Sequence, residues 1–246
     1  MPDQQPDEHY VILIDLLGFT HAVQTWPSGR RTELVELVRW IATARSEFQI
    51  RVAPSGENFI TPAVTTFSDL IVVSFPAVPP MDLPPEEAKV ALAAWPAEVL
   101  RHMAHVAATI ASRSLHLGLL LRGGICKGEL LHLPDIVFGN AFLEAYCLER
   151  DAAKLPRLVV ANAMVDPAFI PDPLRNDAGD ERAYLDYMPQ LCQVMAGRSD
   201  APAWRLARLQ NMAAEVKRHA LANPAIAAKW AWFREHFEVG TLGLSE

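Results

Sequence analysis

The segment from Tyr10 to Leu16, YVILIDL, is an apolar, partly β-branched run with one carboxylate set into it. Such a run predicts a buried strand, ended by the Leu16-Leu17-Gly18 sequence that follows. An ionised carboxylate inside a buried strand is costly unless a cation or hydrogen bonds compensate it. Asp15 is therefore expected at the strand's carboxyl end, where it could face a cleft. An ordinary turn or capping role is the alternative.

A second acid has a similar setting. In TPAVTTFSDLIVVSFP, from Thr61 to Pro76, two β-prone runs flank Ser68-Asp69. Ser and Asp are turn formers, so a tight hairpin is predicted with Asp69 at its tip. A first strand and a following hairpin are commonly sheet neighbours, so the two carboxylates could converge on one ion. Paired hard oxygen ligands with positions left for water and phosphate suit Mg2+ or Mn2+. Such an ion can orient a triphosphate and activate a hydroxyl nucleophile.

Around these segments the chain alternates hairpins with helices. Apolar spacing predicts a helix over 31–48, with Leu34, Val35, Val38, Trp40 and Ile41 on it. Pro85 with Glu86 and Glu87 opens a long helix running to about Ser112, its acids in the first turn as the helix field favours. Leu115 to Arg122 is expected to be a central strand, and Ile125 onward a second. Arg122-Gly123-Gly124 is then a corner between them, with Arg122 available for a phosphate or a carboxylate. A helix (AFLEAYCLERDAAK), a strand at RLVVA and a last strand near Tyr184 follow. The tail from Ala201 predicts two helices broken near Asn223-Pro224, covering a sheet face or a partner subunit. This order favours an α+β mixed sheet flanked by helices over a purely parallel one.

Composition narrows function. The 246 residues are 51% hydrophobic and carry a net charge of −7, enough for one large core and without a dense Lys/Arg block for a long nucleic acid. Cys126, Cys147 and Cys192 have neither disulfide nor metal-pair spacing. The polar, acidic start is unlike a signal peptide, and no apolar run approaches the roughly 18 residues of a membrane span. A cytoplasmic, non-membrane protein is expected. His102 and His105 share a helix face without an acidic companion. Ser68 lacks a nucleophile-elbow frame. Lys127 and Glu129 share a strand face and are expected to be solvated. Trp204, Trp230 and Trp232 suit packing more than base stacking. The Arg-Gly-Gly segment is not a P-loop, because no Gly-Lys-Ser/Thr ends it.

VILIDLLGFT at 11–20, TTFSDLIVVSF at 65–75, LRGGICKGEL at 121–130, VFGNAFLEAYCLE at 137–149 and PRLVV at 156–160 together resemble, in order and spacing, the class III nucleotidyl cyclase catalytic domain. The resemblance covers about residues 8 to 188 and is nearest to divergent, stand-alone bacterial members. Some of those are pyrimidine cyclases of phage defence. It implies a ferredoxin-like, palm-type mixed sheet flanked by helices, with a disordered lead over 1–9, a cyclase-like domain over 10–195 and added C-terminal helices over 196–246. It also implies a head-to-tail homodimer with sites between subunits, Mg2+ or Mn2+ (up to two ions) on Asp15 and Asp69, and a nucleoside triphosphate near Leu16, Leu17, Gly18, Phe19 and Thr20. The implied reaction is attack of the ribose 3′-hydroxyl on the α-phosphorus, giving a 3′,5′-cyclic nucleotide and pyrophosphate. A downstream effector protein is a further candidate partner, which the C-terminal helices could contact.

Several positions depart from the family pattern. Ser68 stands where a glycine precedes the second aspartate. Thr65 and Asn140 stand where base-reading lysine and acidic residues are usual. Leu143 and Cys147 stand where an asparagine and a transition-state arginine are usual. Arg122 or Lys127 could substitute for that cation. The alternative is a catalytically degenerate cyclase-like dimer acting as a nucleotide-binding or protein-interaction module.

Overall fold

The computed structural model describes residues 5–51, 59–79, 85–165, 172–177, 182–196 and 223–242, with 207, 210–212, 214 and 218. Its first strand, β1 (Asp7–Leu17), is the spine of the fold. Val11 to Ile14 are completely buried, as an uninterrupted apolar run requires of a strand covered on both faces. The strand starts inside the lead expected to be disordered, because Asp7 to His9 pair with Leu130 to Gly128.

Two helices follow, α1 (Phe19–Thr25) and α2 (Ser28–Thr43). The latter buries Leu34, Leu37 and Ile41, while Val35 stays exposed. Short strands β2 (Ile50–Arg51) and β3 (Phe59–Ile60) form a separate ribbon. The predicted hairpin is β4 (Ala63–Phe67) and β5 (Leu70–Pro76). Its two-residue turn places Ser68 at φ 65°, a left-handed conformation that two-residue hairpins demand and non-glycine residues seldom adopt. The long helix α3 (Pro85–Ser114) begins at Pro85 as its acids indicate.

The next segment differs from expectation. Leu115–Leu117 is a 3-10 turn, and β6 (Leu120–His132) is one continuous strand of 13 residues. Arg122-Gly123-Gly124 is therefore mid-strand, not a corner. The glycines are there because neighbours press on the strand. A Cβ on Gly123 would lie 2.0 Å from the Leu13 carbonyl oxygen, and one on Gly124 would lie 2.2 Å from the Ala145 carbonyl oxygen. The latter belongs to α4 (Asn140–Cys147), which follows the short strand β7 (Val137–Phe138) and continues as a π-turn over Leu148–Ala152.

Strands β8 (Leu158–Val160), β9 (Leu174–Arg175) and β10 (Tyr184–Leu185) lead to helix α5 (Met188–Ala196), which the sequence reading did not anticipate. Helix α6 (Pro224–Leu242) starts at the predicted Asn223-Pro224 break, with Asn223 Oδ1 accepting from the Ile226 amide. Trp204 and most of the preceding tail helix lie outside the described residues.

The main sheet has the order β4-β5-β1-β6-β8-β10-β9, with β7 paired to β6. Among the described strands, only β6 and β8 run parallel. This is the expected α+β class, a mixed sheet flanked by helices. One face, from Ile12, Ile14 and Leu16, packs with residues of α2, α3, α5 and α6. The other, from Val11, Leu13, Val72, Cys126 and Leu130, packs on Ala141 and Ala145 of α4. Strand alternation puts Asp15 on this second face, in line with Val11 and Leu13. Phe233 and Phe237 of α6 are buried in the larger core. Asp177 ties the same helix down, accepting from Trp232 Nε1 at 3.2 Å and from Arg157 at 3.0 Å. Among the described residues, no helix is long and apolar enough to cross a membrane.

Candidate functional site

The end of β1 brings the two aspartates together. Asp15 pairs in register with Leu70, the residue after Asp69, and the Leu16 amide donates to the Asp69 carbonyl at 3.2 Å. The tight β4-β5 turn thus holds Asp69 against the end of the central strand. On the other side Asp15 pairs in register with Arg122. Because antiparallel partners share a face, the Arg122 side chain meets that of Asp15, and its Nε donates to Asp15 Oδ2 at 2.8 Å.

Arg122 has a second partner that sequence reading missed. Its Nη2 lies 2.6 Å from Glu149 Oε1. This contact is an ion pair and not an aligned hydrogen bond, since the same oxygen has no hydrogen-bonding partner. Glu149 is only 4% exposed. The signal for it was present: Ala141 and Ala145 form the buried stripe of α4, and position 149 continues that stripe with a carboxylate. A π-turn at the same place is a frequent companion of functional sites.

Electrostatics follow from burial. Asp15 is held above the ordinary carboxylate range mainly by loss of solvent; Arg122 opposes the shift and Asp69 adds to it. Burial raises Glu149 likewise, with Arg122 opposing and Asp15 and Asp69 adding. Lys229 of α6 is a further member. Burial lowers its pKa first, Arg122 repels its proton, and Asp15 favours it. The carboxylates of Asp15, Asp69 and Glu149 are thus set against the cations of Arg122, Lys229 and, at Glu149, Lys154.

Among the described residues, no group of three or more His, Cys, Asp or Glu side chains is arranged to hold a metal ion. Asp15 and Asp69 fit a hard cation in a narrower sense. Mg2+ commonly takes one or two protein carboxylates and completes its shell with water and substrate phosphate. Arg122 now occupies Asp15, so an ion would have to compete with it or act with Arg122 turned toward a phosphate.

The remaining predicted positions are distributed as follows. The Leu16 amide is engaged by Asp69, and Leu16 and Leu17 pair with Leu121 and Leu120. Gly18, at φ 96°, turns the chain into α1, and Phe19 and Thr20 form its first turn. Thr65 is not with the aspartates: its hydroxyl contacts His132 Nε2 at 2.9 Å, and His132 Nδ1 contacts Ser74 Oγ at 2.8 Å. Burial lowers the His132 pKa to about 4, leaving a neutral ring between two hydroxyls. Asn140, Leu143 and Cys147 are exposed along α4. Lys127 is partnered by Glu8 at 3.0 Å. His102 and His105 are both shifted down, first by burial.

No family model matches the chain, and no curated protein does. Solved structures do match at low identity. The guanylyl cyclase Cya2 is 14% identical, with 73% of this chain and 90% of that one covered and a TM-score of 0.39. The monomeric guanylyl cyclase domain of the RhoGC fusion protein from the aquatic fungus Blastocladiella emersonii is 12% identical, with 73% and 96% covered and a TM-score of 0.44. A bacterial light-regulated adenylyl cyclase is 15% identical over 74% of this chain, which spans about half (52%) of that protein, with a TM-score of 0.43.

Proposed function

We propose that the chain is a metal-dependent nucleotidyl cyclase, converting a nucleoside triphosphate to a 3′,5′-cyclic nucleotide and pyrophosphate. The observation that carries this reading is the junction of β1 with the β4-β5 turn, where Asp15, Asp69 and Arg122 meet at a strand end. In the reaction the ribose 3′-oxygen bonds to the α-phosphorus, its proton passes to solvent water, and the bond to the bridging oxygen of the departing pyrophosphate breaks. Asp15 and Asp69 would hold Mg2+ or Mn2+, which supplies charge neutralisation and a more acidic hydroxyl. Arg122 would turn its guanidinium from Asp15 to a phosphate oxygen, a charge-assisted contact suited to its planar donors. Glu149 would keep that guanidinium at the site. The first turn of α1, with the amides of Phe19 and Thr20 lacking helical partners, offers further donors.

A homodimer belongs to this proposal: Leu143 and Cys147 lie exposed on α4, with the Arg150 guanidinium 4.0 Å from Cys147 Sγ, and Phe138 of β7 is exposed too. That exposed surface also supports a second reading, a degenerate dimer that binds nucleotide without turnover. Pyrophosphate release with Mn2+ decides between them. D15N and D69N are expected to abolish it; release that survives both variants would remove the assigned roles, and wild-type silence on every nucleotide would favour the binding module.

A further inference from the structure

A cleft of about 540 Å3 opens at the carboxyl end of β1 and the amino end of β6, between Leu17-Gly18, Leu119-Leu120 and the C-terminal helix α6. In a chain of net charge −7, the described part of its lining is of the opposite sign. Arg30 and Lys229 line it, with Arg218 and His21, and among the described residues no Asp or Glu does. Among the described residues, neither Arg30 nor Lys229 forms a salt bridge. Arg30 is instead held over the Trp26 ring, 4.2 Å from its centroid, which fixes the guanidinium without consuming its charge. Lys229 is partly buried, and its pKa is lowered chiefly by that burial. A cation kept partly desolvated with no salt-bridge partner gains when an anion arrives. Trp26 and buried Trp230 supply apolar walls. The volume is that of an ordinary small-ligand site.

We propose that this cleft binds a phosphate-bearing small molecule, its anionic chain lying between Arg30 and Lys229. The cations come from separate elements, α2 and α6, which the ligand would bridge. Lys229 also feels the charges of Asp15 and Arg122, so occupancy would alter the field at the aspartates. The cleft shares Leu17 and Gly18 with the segment proposed to meet the triphosphate, but binding here requires no metal and no turnover and is therefore tested apart from the cyclase reading.

The test is calorimetric titration with inorganic tripolyphosphate in EDTA. Wild-type protein is expected to bind. Arg30→Gln and Lys229→Gln are each expected to bind about tenfold more weakly, the worth of one charge-assisted contact, whereas Asp69→Asn binds at least as tightly. Arg30 is exposed on its helix, so its variant keeps the fold even if that of Lys229 does not. No wild-type binding at millimolar tripolyphosphate, or unchanged binding by Arg30→Gln, overturns the proposal. So does loss of binding in Asp69→Asn. Competition by ATP, GTP, CTP or UTP in EDTA would assign the occupant as a nucleotide; indifference to all four would assign a non-nucleotide phosphate.

Discussion

Replacing Arg122 with methionine should destabilise the protein and at the same time sharpen its response to a divalent ion. Arg122 is the direct ion-pair partner of two carboxylates, Asp15 at 2.8 Å and Glu149 at 2.6 Å, whose side chains are 13% and 5% exposed. Removing one partner of a buried pair costs about 3–5 kcal/mol, chiefly because the other charge is left uncompensated. The Arg122 side chain is itself about a quarter exposed (26%), and screening reduces the expected loss to roughly 2–3 kcal/mol. The pH dependence has a definite sign. Asp15 and Glu149 already lie above their ordinary values of 3.8 and 4.5, and loss of Arg122 raises both further. A carboxylate whose folded pKa is raised binds protons more readily when folded, so its contribution is present at low pH and lost as pH rises through the folded value. R122M should therefore gain stability relative to wild type as pH falls from neutrality toward those ordinary values. Mn2+ replaces the missing charge. An ion at a hundredfold its Kd adds about 2.7 kcal/mol, and the shift should be larger in R122M than in wild type, where Arg122 competes for Asp15. Urea denaturation with and without Mn2+ reads both effects. Wild-type stability in R122M, or a Mn2+ shift no larger than that of wild type, would refute the reasoning.

Other perturbations test separate parts of the account. G124A should be destabilised by about 2 kcal/mol or more in urea titrations, since its Cβ would meet the Ala145 carbonyl at 2.2 Å and α4 would have to move. F237A should lose about 3 kcal/mol in the same assay, because that ring is wholly buried where α6 meets the main core; a negligible loss would mean that α6 does not depend on this contact. His132 has a folded pKa of about 4, below its ordinary 6.5, so the unfolded chain takes the proton first and stability falls as pH drops through that window. With partial solvent screening, H132Q should remove roughly 1 kcal/mol of this pH dependence, measured as the difference in unfolding free energy between pH 7 and pH 4.

The strands that carry the aspartates were legible because their apolar runs are short, β-branched and bounded by turn residues. Asp15 stood out as a charge in such a run, and Asp69 as the tip of a hairpin. β6 was misread as two strands because Gly123-Gly124 has the composition of a turn. Glycine marks either a turn or a close approach, and only the packing of Leu13 and Ala145 distinguishes them. Leu115 to Leu117 was apolar enough for a strand but is a 3-10 turn closing α3. Glu149 sat on the apolar stripe of α4, yet its role depends on Arg122, 27 positions earlier in the chain and on another element. The influence of the Asp15 charge on Lys229 is likewise tertiary, and no local pattern encodes it. Thr65, Ser74 and His132 form their network through a registry that spans three strands.

The proposed reaction yields a cyclic product of distinct mass. The most direct measurement is mass analysis of products after incubation of wild-type protein with Mn2+ and, separately, ATP, GTP, CTP and UTP, beside D69N. At least one nucleotide is expected to give a product with the mass of the triphosphate less pyrophosphate, absent with D69N. A linear oligonucleotide, a nucleoside diphosphate, or no product from any of the four would contradict it.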